Sequence, residues 1–199
     1  VLKDMKAAAR AQLSAKSVPP EQYLPYDEPT LRKAALAYKK TSKGCDHWLA
    51  QELGTMPECV LAPIALAIEC SVACLTWPLQ MCLALNPELA KESGGQRTVC
   101  KTVTNYRLWC KSRSKVIKTW ENALNNEFDT AKAGSSALRA AAFRSVWAEI
   151  QRYCDRDCSQ IMWDFVKFYD SVKPVPLYNA LVENKFPPID MCMGFQMHM

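Results

Sequence analysis

Along "PTLRKAALAYKKT" the apolar residues Leu31, Ala34, Ala35 and Tyr38 recur at steps of three and four. That spacing lays one stripe down an α-helix, and Pro29 with Thr30 supplies its start signal. The same period predicts helices over 46–53, 57–76, 106–125 and 136–153, and again in "PLYNALVEN" near residue 180. The piece 57–76 is apolar nearly all round, so a buried helix is expected there. Residues 1–16 are Ala-rich and suit a peripheral helix, whereas four prolines between 17 and 29 demand an extended linker. "SKGCD" and "DTAKAGSS" interrupt the helical runs.

Strand signals are fewer. After a turn at Pro78, a short strand is expected through Met81 to Leu85. "LAKESGGQRTVCKTV" reads as a hairpin, with Gly94 and Gly95 turning the chain between a charged arm and a β-branched run. "SQIMWDFVK" is a third strand candidate. No internal repeat is visible, and the order of elements predicts a helix-dominated α+β fold.

Composition narrows this picture modestly. With 199 residues and 49% hydrophobic side chains there is material for one core or two small lobes. The apolar run 59–77 contains Pro63 and a central Glu69, so a core helix is expected rather than a membrane span, and no membrane partner. Ten cysteines without a CxxC pair, and only His47 and His198 beside them, argue against a zinc module. Cys70 and Cys74 occupy helical apolar positions, and the set reads as reduced, buried thiols of an intracellular protein.

Charge is more informative by distribution than by sum. The net charge of +5 names no partner, but "RTVCKTVTNYRLWCKSRSKVIK", 97–118, holds seven cations and no acid. Tyr106 and Trp109 are interleaved with them. Lys101, Arg107, Lys111, Arg113 and Lys115 therefore become candidates for binding nucleic-acid phosphates, with aromatic planes available to bases. A solvated helix face is the competing reading. The opposite oddity lies at "WDFVKFYDSV", 163–172, where strand alternation puts Asp164 on one face with Val166 and Phe168.

"DFVKFYDSV" resembles the first palm motif of reverse transcriptases: Asp, two apolar or mixed residues, Lys, Ala, an aromatic, Asp, Ser, then Val or Ile. Asp164, Lys167, Tyr169, Asp170, Ser171 and Val172 fall on it, while Phe168 is large where a small residue is usual. Upstream, "WPLQMCLALNPELAKESGGQRTV" is similar to the fingers segment of non-LTR retrotransposon and group-II-intron-like enzymes, without the proline that usually follows Arg97 and with Lys91 displaced from its own proline. "NYRLWCKSR" resembles the helix that follows, and "TSKGCDHW" a small Gly-x-Asp element before it. The words stand in the family's order over about residues 30–199.

The resemblance implies the fingers and beginning of the palm of a right-hand polymerase, truncated: a helix and Pro-rich linker over 1–29, a fingers-like region over 30–157 and the start of the palm over 158–199. It implies two-metal nucleotidyl transfer, with Asp164 as catalytic ligand to Mg²⁺, or Mn²⁺ in its place, and the carbonyl of Phe165 as a further oxygen donor. Tyr169, beside Phe168, would lie beneath the incoming sugar, Lys91 and Arg97 would meet the triphosphate, and Asp170 would cap the ensuing turn. RNA template, DNA primer and dNTPs are the implied partners, and a nuclear location is implied as well. The family's downstream Asp-Asp pair does not occur in these residues, so the chain is expected to be a fragment, inactive alone. Two alternatives stay open: a non-catalytic nucleic-acid-binding helical protein, decayed or domesticated, and a helical scaffold whose polymerase-like words are coincidence.

Overall fold

The computed structural model describes residues 1–14, 25–38, 43–92, 94–124, 136–159 and 171–198. Over these the chain forms α1 (Leu2–Ser14), α2 (Glu28–Leu36), α3 (Ala50–Gly54) and α4 (Glu58–Ala73), then a 3₁₀ turn at Leu79–Cys82. Four short strands follow: β1 (Ala84–Leu85), β2 (Glu88–Ala90), β3 (Gln96–Thr98) and β4 (Lys101–Thr102). The rest is helical: α5 (Thr104–Leu124), α6 (Ala137–Tyr153), α7 (Pro174–Glu183) and α8 (Pro188–His198). The fold is therefore α+β with helix dominating.

Local chemistry explains most element ends. Asp27 starts α2 by accepting the Thr30 amide at 3.0 Å, with Pro29 in the first turn. That hydrogen bond holds the Asp27 carboxyl below its ordinary value. A depressed folded-state pKa means the cap is at full strength above the usual carboxylate range and is lost as pH falls. The predicted stripe is present: Leu31, Ala34 and Ala35 are buried and Tyr38 is partly so. Arg32 reaches from α2 to the Gly54 carbonyl at 2.9 Å, pinning the end of α3.

The core is one cluster to which distant parts of the chain contribute. Its least anticipated member is α8, which buries Ile189, Met191, Cys192, Met193, Phe195 and Met197. The sequence there is too evenly apolar to show a helical period. Against α8 lies α1, whose Met5 and Ala9 are fully buried, so the first helix is a core element and not a peripheral one. Gln12 on α1 accepts the Ile189 amide at 3.3 Å. Trp77 donates its indole N–H to the Met193 carbonyl at 3.0 Å and packs edge-on to Tyr106 and Trp109 of α5, at 5.8 and 5.4 Å between ring centroids.

α5 is joined to α8 by a buried ion pair. Arg113 Nε and Nη2 each lie 2.8 Å from an oxygen of Asp190, a bidentate fork between two residues both 7% exposed. Farther along α5, Trp120 donates to the Asn184 carbonyl at 2.7 Å and meets Phe186 edge-on.

Several expectations need correction. Residues 46–49 precede the helix instead of starting it, because Asp46 is engaged elsewhere and His47 takes a φ of 58°. α4 is buried only along Leu61, Ala65, Ile68 and Ser71, leaving Val60 and Leu66 exposed: composition shows how apolar a helix is, but not which faces find a partner. The strand expected through 81–85 begins as the 3₁₀ turn and is extended only at Ala84–Leu85. The cysteines are free, as expected, but among them only Cys192 is buried. α6 has the expected length, yet buries Ala140 alone. No helix among the described residues is long and apolar enough to cross a membrane. The strand expected at 159–167 falls almost wholly outside the described residues.

Replacing Asp190 with Ala should destabilise the fold by about 3–5 kcal/mol in urea unfolding, since Arg113 would be left buried without its counter-charge. A loss under about 1 kcal/mol, the size expected of a solvent-exposed pair, would show that water reaches it.

Candidate functional site

The expected hairpin forms. β2 and β3 pair antiparallel in the register Glu88↔Thr98, Leu89↔Arg97 and Ala90↔Gln96, and β1 with β4 extends the same two arms through Ala84↔Thr102 and Leu85↔Lys101. The turn closes by two backbone bonds, Lys91 N–H to the Gly95 carbonyl and Gly94 N–H to the Lys91 carbonyl, both 3.1 Å. Gly94 and Gly95 have φ of 84° and 85°, a region where a side chain would be strained. Lys91 is exposed where the turn begins, and Arg97 lies in β3 opposite Leu89.

At its other end the hairpin runs into α5. Thr104, fully buried, begins this helix, and its amide donates to Asp46 Oδ2 at 2.6 Å. Its hydroxyl lies 3.0 Å from both Asp46 Oδ1 and the Trp48 carbonyl. A carboxylate from 58 residues upstream thus satisfies the first amide of α5 and complements the positive end of its dipole. Gly44 permits this approach, because a Cβ there would overlap the Thr102 carbonyl. Asp46 of "TSKGCDHW" therefore meets the chain one residue ahead of "NYRLWCKSR", and Trp77 of the Trp-Pro pair packs on Tyr106 and Trp109 of that word.

The basic segment divides when it becomes a helix. Buried positions are Thr104, Tyr106, Leu108, Trp109, Arg113 and Val116. Arg113, grouped by sequence with the nucleic-acid-binding cations, turns inward to Asp190 and leaves that surface. Lys111, Lys115 and Lys118 are exposed and Arg107 is partly so, at the helical spacing i, i+4, i+8 and i+11 from Arg107. Lys101 is partly buried in β4. No ion pair involves Lys111, Lys115 or Lys118 among the described residues.

Tyr38 flanks this row. Its hydroxyl donates to the Arg107 carbonyl at 2.8 Å, and its ring lies 5.4 Å from the Arg107 guanidinium carbon and 5.8 Å from Lys111 Nζ. Burial pushes the phenol's pKa up, so the hydroxyl remains a donor at neutral pH. Tyr38 and Lys118 were not among the sequence candidates for this surface. Steps of four, four and three from Arg107 would have found Lys118, whereas Tyr38 arrives through tertiary packing.

Comparison with protein-family models, curated proteins and solved structures finds no match to this chain. Asp164, Phe165, Phe168, Tyr169 and Asp170, the residues that the reverse-transcriptase resemblance assigns to metal, sugar and turn, lie outside the described residues. Among the described residues no group of three or more His, Cys, Asp or Glu side chains could hold a metal ion. Asp155 and Asp157 are exposed at the end of α6.

Asp46→Ala should cost about 1–3 kcal/mol, by orphaning the buried Thr104 amide while the hydroxyl keeps the Trp48 carbonyl. Asp46→Asn, which keeps an acceptor, should cost less. Equal losses in thermal unfolding would mean that the negative charge, not the hydrogen bond, holds the junction.

Proposed function

We propose that this chain is the fingers and first palm segment of an RNA-directed DNA polymerase of a retroelement, working by two-metal nucleotidyl transfer on an RNA template, a DNA primer and dNTPs, in the nucleus. The observation that carries this reading is the ordered series of words from "TSKGCDHW" through "WPLQMC", the Gly-Gly hairpin and "NYRLWCKSR" to "DFVKFYDSV". Support comes from how the described words are used. Asp46 caps α5, Trp77 packs on Tyr106 and Trp109, and the Gly-Gly turn joins paired strands. Residues that define the words also hold this part of the fold together.

In this reading Asp164 and the Phe165 carbonyl would hold Mg²⁺, whose chemistry is to activate the primer hydroxyl and stabilise the leaving pyrophosphate. Tyr169, beside Phe168, would limit the space below the sugar. Lys91 and Arg97 would present a point charge and a planar fork to the triphosphate. A right-hand polymerase architecture belongs to this proposal, as does the need for a downstream Asp-Asp pair to complete the metal site.

A second reading rests on a separate observation. The cationic row on α5 needs no metal and would serve a non-catalytic nucleic-acid-binding protein equally well. The two readings separate at Asp164. In a protein carrying this sequence together with the downstream Asp-Asp motif, primer extension on an RNA template should require Mg²⁺ and fall to background in Asp164→Asn, with RNA affinity nearly unchanged. Extension that survives the substitution would overturn the polymerase assignment. Parallel loss of binding and extension would instead assign Asp164 to the fold.

A further inference from the structure

We infer that the outward face of α5, built from Arg107, Lys111, Lys115 and Lys118 with Tyr38 beside them, is a binding surface for single-stranded nucleic acid that reads backbone charge and base planes but not sequence. This deepens the nucleic-acid part of the proposed function, and it replaces the broad segment 97–118 with a defined surface from which Arg113 is excluded.

Three features point to it. The first is alignment: steps of four, four and three residues keep the cations within one side of the helix, over about 16 Å from first to last at 1.5 Å per residue. Glu121 is the first acid after Glu92, so α5 itself places no acid within the row. The second is rigidity. The inward side of α5 is fixed by the Asp46 cap, the Trp77 cluster, the Arg113–Asp190 fork and the Trp120–Phe186 contact. Cations on a helix so anchored lose less freedom on binding than those on a loop. The third is Tyr38, whose ring is held against the row by its hydroxyl bond to the Arg107 carbonyl. A positively charged track with a half-exposed aromatic ring beside it is a combination that suits unpaired bases, which have a face to offer, while bases inside a duplex do not.

Charge alone would attract any polyanion, so the test separates charge from stacking. Binding of a fluorescent oligouridylate of fifteen nucleotides is followed by anisotropy between 50 and 200 mM salt, without Mg²⁺ or dNTPs. Four neutralised phosphates on a single strand give a log–log slope of about −3, equivalent to an affinity loss of about fifty-fold over that range. The triple variant Lys111→Gln, Lys115→Gln, Lys118→Gln should retain a slope of only about −0.7 and lose about threefold over the same range. Tyr38→Leu should weaken binding at every salt concentration with the slope unchanged, and Tyr38→Phe, which keeps the ring but loses the hydroxyl bond to the Arg107 carbonyl, should weaken it less.

The inference is overturned if Lys3→Gln, Arg10→Gln, Arg144→Gln, a charge-matched variant away from α5, reduces the slope as much. Equal affinity for a duplex of the same length, or competition by polyglutamate as effective per charge as the oligonucleotide, would overturn it as well. Binding too weak to measure at 50 mM salt would do the same. Because nucleotide and metal are absent from the assay, these outcomes do not depend on Asp164, and failure of the polymerase reading would leave them standing.

Discussion

Two oxygens of Asp190, each 2.8 Å from a nitrogen of Arg113, tie α5, the longest helix among the described residues, to α8 inside the core. Such a pair offsets the desolvation of both charges only when its geometry is close to ideal, and it is then intolerant of displacement. It therefore fixes the rotation of α5 about its own axis. With Arg113 turned inward, helical geometry carries Arg107, Lys111, Lys115 and Lys118 to another side. The exposed cationic row is thus a consequence of one buried cation.

The remaining contacts of α5 divide the labour. The Asp46 carboxylate sets where the helix begins, and the Trp77, Tyr106 and Trp109 rings fill the space between α5 and α8 with edge-on and stacked contacts. Trp77 also gives its indole proton to α8, so this aromatic cluster is polar as well as apolar in its bonding. Arg32 and Gly54 perform a similar joining task between α2 and α3. The hairpin follows β4 directly into this anchored helix, so Lys91 and Arg97 are carried by arms whose base is fixed at Thr104.

Much of this was legible in the sequence, because short-range rules govern it. The α2 stripe, the Gly-Gly hairpin, the Pro-initiated α7 and the extents of α5 and α6 all follow from period, capping and turn chemistry. What escaped depends on partners distant along the chain. Arg113 looks like any other cation in "CKSRSK" until Asp190 is placed beside it, and Asp46 looks like a helix residue until Thr104 claims it. α8 escaped for a different reason: with its positions from 188 to 197 all buried or half-buried, it lacks the polar face from which a helix is ordinarily recognised. Asp164 and its neighbours carry the strongest motif, and their part in the candidate site rests on the wording of the sequence.

The position of α8 also constrains the order of events during synthesis. Met5 and Ala9 leave the ribosome well before residues 189–197, against which they pack, and Trp77 waits for the Met193 carbonyl. Contacts across such separations are slow to form, because the intervening chain must surrender its freedom before they repay it. Until α8 emerges, the apolar sides of α1 and α5 have no α8 to close upon. Until then this core surface stays exposed on the nascent chain, which is the state that chaperones recognise.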